Sequence, residues 1–203
     1  MKVTDWTGNK KSAYSILGAN NHSVIEREKH DYYATPSTAT EKLLERESFL
    51  HSIWEPACGG GHISEVLSKY GYKVISTDKY NYGYNKQNLE LDFLASESDI
   101  VIHSGDIITN PPYKYVLEFC EKALDRIQEG RKVAMLLKLT FLEGKKRKSF
   151  LEKNRPKKIY VFSSRINCAK NGNFNTNKAS AICYAWFVWE KGFSGKTTEI
   201  NWI

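Results

Sequence analysis

The stretch WEPACGGGHISEVL, residues 54–67, places three consecutive glycines between two segments of different periodicity. Residues 52–57, which lead into the glycines, have the apolar character of a short buried strand. After the glycines, apolar residues recur at the i, i+3, i+4 and i+7 spacing of an amphipathic helix, at Ile63, Val66, Leu67 and Tyr70. A strand, a glycine-rich turn and a helix in this order predict the first unit of a parallel α/β sheet.

The alternation of strands and helices continues along the chain. Further strands are predicted at 73–77, 99–103, 107–109, 133–139, 158–162 and 181–190. Helices are predicted at 38–47, 116–127 and 144–154. Because no helix separates the last two strands, the final strand is predicted to be an antiparallel edge. The predicted fold class is therefore α/β, Rossmann-like and doubly wound, with a mostly parallel seven-stranded sheet and an antiparallel C-terminal edge strand.

The length and composition suit one domain. A chain of 203 residues can bury a single core, and we assign residues 31–203 to one domain preceded by a polar N-terminal arm at 1–30. No signal peptide opens the sequence, and no apolar stretch approaches the roughly 20 residues that span a bilayer, so a cytoplasmic location is expected. The four cysteines have no CxxC or histidine spacing, which predicts free thiols and no metal site.

The charge balance favours one class of partner. The net charge of +7 makes nucleic acid plausible, although many basic proteins bind none. A dense basic run is formed by Lys145, Lys146, Arg147 and Lys148. This run either contacts phosphate or is a solvated helix face.

Two acidic residues flank the first glycine turn. In doubly wound sheets ligands bind at the carboxyl ends of the strands, and Gly59 and Gly61 would let the backbone approach one closely, although tight packing alone can also require glycine. Glu55, just before the turn, suits a positively charged group such as an amino-acid ammonium. Asp78 follows Cys58 by 20 residues and ends the next strand, where an acid can accept both ribose hydroxyls or simply cap the strand.

A nucleoside that carries an amino acid is S-adenosylmethionine, which is therefore the predicted cofactor. A dinucleotide would need the pattern G-x-G-x-x-G, and Ser64 occupies its final glycine position. At the expected end of a third strand, Asp92 could accept a hydrogen bond from the adenine amino group and Phe93 could pack on the ring. The alternative is a surface aspartate beside a core phenylalanine. The remaining contacts predicted in the loop are Pro56, Ala57 and Cys58.

The predicted strand 107–109 ends in Asn110-Pro111-Pro112-Tyr113. In the order EPACGGG, Asp78, Asp92-Phe93 and NPPY, the chain resembles class I S-adenosylmethionine-dependent amino methyltransferases. The resemblance covers roughly residues 30–190 and is closest to adenine-specific DNA methyltransferases, including small phage-encoded ones. It implies methylation of the 6-amino group of adenine in double-stranded DNA, in a bacterial host cytoplasm if the gene is phage-borne.

The chemistry of this reaction suits the NPPY residues. The lone pair of the adenine amino group is delocalised into the ring, so the amine is a poor nucleophile. The Asn110 side-chain oxygen and the Pro111 carbonyl would accept hydrogen bonds from its two hydrogens and localise the lone pair toward the methyl sulfonium. Asn110 would also contact the cofactor. Pro111 and Pro112 stiffen the backbone, and Tyr113 would stack on the flipped base. Catalysis would rest on orientation and electrostatics, without a metal.

The resemblance extends to weaker segments. DYYATP, residues 31–36, is similar to a segment that closes over the cofactor, with Tyr33, Thr35 and Pro36 as its contacts; a helix lead-in is the alternative. Phe174 is similar to the aromatic residue that packs on the other face of the flipped base. Lys138 and Arg165, near strand ends on the same side of the sheet, would meet phosphate.

Several alternatives remain open from the sequence. No segment is long enough for a separate region that recognises a DNA sequence. The chain would therefore recognise a very short sequence, act with low specificity or depend on a partner for recognition. It would act as a monomer or a homodimer. The same NPPY chemistry also suits an RNA base or a protein glutamine amide. A nucleic-acid-binding module with a relic cofactor fold is the non-enzymatic alternative.

Overall fold

A computed structural model describes residues 32–95, 104–174 and 182–203. The predicted arm at 1–30 and the predicted strand at 99–103 therefore lie outside the described residues.

The core of the protein is an eight-stranded sheet. Its strands are β2 (Ser52–Glu55), β3 (Lys73–Asp78), β4 (Leu89–Glu90), β5 (Asp106–Thr109), β6 (Lys132–Lys138), β7 (Lys158–Val161), β9 (Tyr184–Glu190) and β10 (Glu199–Trp202). Their order across the sheet is β10-β7-β9-β6-β5-β2-β3-β4. A separate antiparallel ribbon pairs the two-residue strands β1 (Tyr33–Ala34) and β8 (Ala169–Lys170). The mostly parallel sheet confirms the predicted α/β class.

The antiparallel strand is not at the edge, where it was predicted. β9 lies between β6 and β7 and runs antiparallel to both, whereas the edge strand is β10, parallel to β7 and absent from the prediction. The first six residues of β9 are buried, and a strand covered on both faces belongs inside a sheet. Ile200 and Trp202 in β10 are exposed, as suits an edge. The described sheet thus has eight strands where seven were expected.

Four α-helices cover the two faces of the sheet. They are α1 (Ser37–Leu44), α2 (His62–Lys69), α3 (Val116–Arg126) and α4 (Lys145–Lys153). One core cluster joins α1 and α2 to one face through residues such as Leu43 and Leu67, and the other joins α3 and α4 to the opposite face through residues such as Phe119 and Phe150. The four predicted helices are confirmed, and α1 ends three residues early, at Leu44.

A buried ion network lies at the end of the sheet where β6 and β7 begin. The Glu47 carboxylate accepts hydrogen bonds from the Lys132 ammonium, the Lys158 ammonium and the Tyr160 hydroxyl, at 2.7, 2.7 and 2.5 Å. Burial alone would raise the pKa of Glu47, but these three donors outweigh it and lower the pKa. The carboxylate is therefore ionised in the folded protein and holds the end of the α1–β2 connection against β6 and β7.

Replacing Glu47 by glutamine should destabilise the fold by about 2 kcal/mol, because two partly buried lysines lose their counter-charge. Since the folded-state pKa is lowered, this contribution is complete above the unfolded pKa near 4.5 and is lost as the pH falls through the folded value. Chemical unfolding of Glu47→Gln, with exposed Glu45→Gln as the matched control, measures the difference. Equal stability of both variants at neutral pH would contradict a stabilising role for the network.

Candidate active site

A cleft of about 360 Å³ opens at the carboxyl ends of the parallel strands, a size that suits a small-molecule ligand. It lies where the strand order reverses, since β3 and β4 extend to one side of β2 and β5 pairs on the other. The structure brings thirteen of the predicted site residues together around this cleft. They are Tyr33, Thr35, Glu55, Pro56, Ala57, Cys58, Asp78, Asp92, Phe93, Asn110, Pro111, Pro112 and Tyr113.

The glycine turn between β2 and α2 needs glycine for conformation and for space. Gly59 and Gly61 have φ angles of +52° and +79°, in the left-handed region. A Cβ atom on Gly59 would lie 2.2 Å from the Tyr32 ring, and one on Gly61 would lie 2.3 Å from the Tyr84 ring. The sequence predicted that a ligand would lie close to these glycines. In this structure two tyrosine rings occupy that space.

Asp78 ends β3 beside the glycine turn. Its Oδ2 accepts the Gly59 N–H at 2.8 Å and its Oδ1 accepts the Tyr80 N–H at 3.0 Å. Burial raises the pKa of Asp78, and these backbone hydrogen bonds only partly offset the effect. The carboxyl group therefore caps the strand end, which is one of the two interpretations from the sequence, and it also lines the cleft.

Glu55 ends β2 and is almost completely buried. The Ser64 hydroxyl donates to Glu55 Oε2 and lies 2.6 Å from the Ser76 hydroxyl. Burial raises the pKa of Glu55 well above its ordinary range, and no basic side chain among the described residues forms an ion pair with it. A cation held beside this carboxyl group would lower its pKa. Ser64, whose hydroxyl donates to this carboxyl group, stands at the position where a dinucleotide-binding loop has glycine.

Asp92 and Phe93 form the wall after β4. Asp92 Oδ2 lies 2.7 Å from the Lys79 ammonium, and Oδ1 accepts the Leu94 N–H at 3.0 Å. Partial burial opposes ionisation of Asp92, but these two donors together lower its pKa. Phe93 is buried and meets Trp54 edge-to-face with centroids 5.2 Å apart. Phe93 is therefore a core residue, the alternative given above, that also contributes to the cleft wall.

Asn110 directly follows β5 and has an unusual hydrogen-bond pattern. Its Nδ2 donates to the Tyr33 carbonyl at 2.9 Å and to the Thr35 hydroxyl at 3.1 Å. Its Oδ1 is buried and has no partner. An unpaired buried acceptor costs about 1–3 kcal/mol. Of the five buried side-chain polar atoms without a partner in the described part of the chain, only Asn110 Oδ1 and the Tyr113 hydroxyl belong to residues of the cleft. Tyr33 and Thr35, predicted as cofactor contacts, lie in the cleft and also contact Asn110.

Tyr113 lies in a 3₁₀ turn immediately after the two prolines. Its ring centroid is 6.0 Å from that of Tyr33 and 6.1 Å from that of Tyr184. The Lys138 ammonium, predicted to meet phosphate, lies 4.2 Å from the Tyr113 ring centroid. Burial raises the pKa of the Tyr113 hydroxyl, with the Cys168 and Tyr184 side chains adding to the effect.

The other predicted nucleic-acid contacts lie outside the cleft. The Phe174 ring is 5.5 Å from the His62 ring and is largely exposed, and the Arg165 guanidinium donates to the Cys183 sulfur. The basic run Lys145–Lys148 forms the first turn of α4. The first turn of α4 lies on the face of the sheet that α3 covers, where Lys146 borders a groove together with Leu124, Asp125 and Lys191.

Sequence reasoning missed several cleft residues. Tyr32 covers the glycine turn: its hydroxyl accepts the Gly60 N–H at 2.9 Å, and its ring lies 4.4 Å from that of Tyr82. The other missed lining residues are Ala34, His62, Ile63, Lys79, Tyr80, Leu94, Lys114, Tyr115 and Phe119. The three tyrosines in KYNYGY, directly after Asp78, were an available signal for an aromatic wall.

The part of the chain that the structure describes contains no cluster of three or more histidine, cysteine or acidic residues that could hold a metal ion. None of its helices is both long and apolar enough to cross a membrane. All four cysteines are free thiols.

Solved structures share this architecture, although no protein-family model matches the sequence and no curated protein matches it. A Listeria monocytogenes protein assigned as a class I S-adenosylmethionine-dependent methyltransferase is 16% identical, with a TM-score of 0.58 over 96% of this chain and 72% of its own. A Pyrococcus horikoshii protein assigned as an RNA methyltransferase is 16% identical, with a TM-score of 0.56 over 90% of this chain and 99% of its own.

A third similar structure is larger. It is the modification subunit assigned to a type I restriction enzyme of Vibrio vulnificus, which is 12% identical with a TM-score of 0.58 over 83% of this chain. The chain spans 45% of that subunit, less than half its length. At these identities the similarity establishes the architecture alone. The chain has the Rossmann-like fold of class I S-adenosylmethionine-dependent methyltransferases.

Proposed function

We propose that the protein transfers a methyl group from S-adenosylmethionine to the exocyclic 6-amino group of adenine in double-stranded DNA. The observation that carries this proposal is the unpaired, buried Asn110 Oδ1 at the end of β5. Asn110 is one of the residues that line a cleft, and the buried residues Glu55 and Asp78 line the same cleft. A cleft with two carboxyl groups suits a cationic nucleoside, and the additional amide acceptor suits an amine.

The two carboxylates suit different parts of the cofactor. Glu55, which forms no ion pair among the described residues, would bind the ammonium of the methionine moiety. Asp78, held by the Gly59 N–H, would accept the ribose hydroxyls. Asp92 and Phe93 would border the adenine. The cofactor would supply a methyl group on a sulfonium that leaves as a neutral thioether. The methylated nitrogen would release one proton to water, so the part of the protein is to bind and orient.

The residues at the end of β5 would prepare the amine. Asn110 Oδ1 and the Pro111 carbonyl would accept hydrogen bonds from its two hydrogens and localise the nitrogen lone pair. Two prolines fix the φ angles of this backbone, so the acceptors do not need to reorganise during the reaction. A base must leave the duplex to reach this depth, and Tyr113 would border it there.

The duplex itself would bind outside the cleft, where Lys138, Arg165, Phe174 and the first turn of α4 would contact it. The four basic residues Lys145–Lys148 stand in a turn that contains no acidic side chain. Their charge and the helix dipole have the same sign, so this turn attracts phosphate. The cytoplasm is the compartment in which a DNA-modifying enzyme of this kind would act.

Transfer of labelled methyl from S-adenosylmethionine to duplex DNA, RNA and a protein extract, run in parallel, tests the proposal. We expect methylated adenine in DNA. Label found in RNA or protein alone would move the substrate to one of the two alternatives that NPPY chemistry allows. No label anywhere, with the cofactor shown to bind, would contradict the proposed activity.

Replacing Asn110 by alanine should lower kcat by roughly a hundredfold or more, because the amine loses one of its two acceptors. The affinity for the cofactor should change by less than about tenfold, since the carboxylate contacts remain. Single-turnover methylation and calorimetry separate the two effects, with the exposed Asn85→Ala variant as the control. Full activity of Asn110→Ala would exclude this role.

The affinity for the cofactor should fall as the pH is lowered. Burial raises the pKa of Glu55, so in acid the empty site holds a protonated carboxyl that cannot bind an ammonium until the proton leaves. Below this raised pKa the affinity should drop by up to about tenfold per pH unit. In Glu55→Gln the binding should be weaker and its pH dependence reduced. Calorimetry between about pH 5.5 and 8.5 measures both, and identical profiles would exclude Glu55 as the ammonium ligand.

Replacing Lys145 and Lys146 together by glutamine should weaken DNA binding and flatten its dependence on salt. The log–log slope should become shallower by about 0.9 for each phosphate that is no longer neutralised. The matched control replaces Lys69 and Lys73, which are exposed at the opposite edge of the sheet. Fluorescence anisotropy at several salt concentrations compares the slopes. If both double variants behave alike, the basic run is a solvated helix face.

A further inference from the structure

The segment that precedes α1 packs directly on the end of β5. Thr35 is 2% exposed, and its hydroxyl lies 3.1 Å from Asn110 Nδ2, although 75 residues separate the two in sequence. The Tyr33 carbonyl lies 2.9 Å from the same nitrogen. Both hydrogens of the Asn110 amide group therefore have an acceptor in this one segment.

These contacts determine which way the Asn110 amide faces. A backbone carbonyl can only accept hydrogen bonds, so the NH₂ group must face Tyr33. If the amide were turned by 180°, Oδ1 would face the Tyr33 oxygen, and the two NH₂ hydrogens would lose their acceptors. The observed arrangement leaves Oδ1 as the unpaired atom. The acceptor on which the proposed function depends is therefore oriented by groups on the opposite side of the amide.

We propose that Thr35 is a positioning residue, which together with the Tyr33 carbonyl fixes the Asn110 amide so that its oxygen is presented to the amine. This inference rests on the proposed function for its catalytic consequence. It gives Thr35 a role different from the cofactor contact that the sequence suggested, because the Thr35 hydroxyl is already engaged by Asn110.

The segment that holds the amide is itself anchored at two places. Its β1 strand pairs with β8, with Tyr33 opposite Lys170 and Ala34 opposite Ala169. One residue earlier, the Tyr32 hydroxyl accepts the Gly60 N–H of the glycine turn. These anchors keep the Tyr33 carbonyl in place, so the Asn110 amide keeps its orientation when the cleft is empty.

The same geometry explains why residue 110 is asparagine in this chain. An aspartate there would still offer oxygen acceptors to an amine. However, its other carboxylate oxygen would face the Tyr33 carbonyl, and two acceptors at hydrogen-bond distance repel each other. Asn110→Asp should therefore lose activity despite keeping an acceptor, whereas it would stay active if any oxygen at this position sufficed.

The decisive variant is Thr35→Val, which keeps the shape of the side chain and removes the acceptor. We expect kcat to fall about tenfold or more, because one amide hydrogen loses its partner. The affinity for S-adenosylmethionine should stay within about twofold, and Thr35→Ser should restore kcat because it restores the hydroxyl. The matched control is Thr40→Val, which removes a buried hydroxyl that has no partner; its kcat should equal that of the wild type.

Three results would overturn the inference: an unchanged kcat in Thr35→Val, an active Asn110→Asp, or a cofactor affinity that falls in step with kcat. The last result would make Thr35 a cofactor contact. If Thr35→Val does not fold, Thr35→Ala takes its place. The wild type is assayed in the same series, so absence of methyl transfer by the wild type counts against the proposed function and not against the orientation of the amide.

A second readout does not depend on activity. The side-chain NH₂ signal of Asn110 can be assigned by NMR from its disappearance in Asn110→Ala. In the wild type its hydrogens should exchange with water slowly, and Thr35→Val should speed the exchange by about tenfold, since one hydrogen bond is gone. Equal exchange rates in the two proteins would show that Thr35 does not hold the amide.

Discussion

The parallel pairing of β2 with both β3 and β5 is the constraint on which the cleft depends. Because the three strands run in one direction, Glu55, Asp78 and Asn110 at their ends must meet at one edge of the sheet. No loop has to carry these side chains to each other. The site therefore inherits the rigidity of the central strands, and the glycine turn only has to fit between them.

Two buried glutamates at opposite ends of the strands have pKa values shifted in opposite directions. Glu47 has two lysines and a tyrosine as donors, and these donors lower its pKa despite burial. Glu55 has the hydroxyl and N–H of Ser64, and burial dominates and raises its pKa. The first carboxylate is neutralised by the protein itself and serves the fold. The second has no counter-charge among the described residues, which is the arrangement expected if it binds the ammonium of the proposed cofactor.

The sequence was sufficient for the four helices, for six of the eight strands of the described sheet and for thirteen residues of the cleft. Most of the motifs in the cleft follow an apolar strand, and the ends of parallel strands converge. The sequence was insufficient where the decisive contact is made between distant segments. The hydrogen bonds from Asn110 to Tyr33 and Thr35 have no local signature, and neither does the pairing of β9 inside the sheet. β10 was missed because only four residues pair and two of its side chains are exposed. Ser64 did carry a signal, as the wrong residue for a dinucleotide loop.

The packing of Tyr32 on the glycine turn also bears on how such a sequence can diverge. The ring occupies the space that a side chain at position 59 would need. A larger residue at 59 is therefore compatible only with a smaller one at 32, together with a relaxed turn. Positions 32 and 59 should consequently change together in descendants of this chain. Their correlated substitution would indicate the contact even between sequences whose overall identity is too low for a simple alignment.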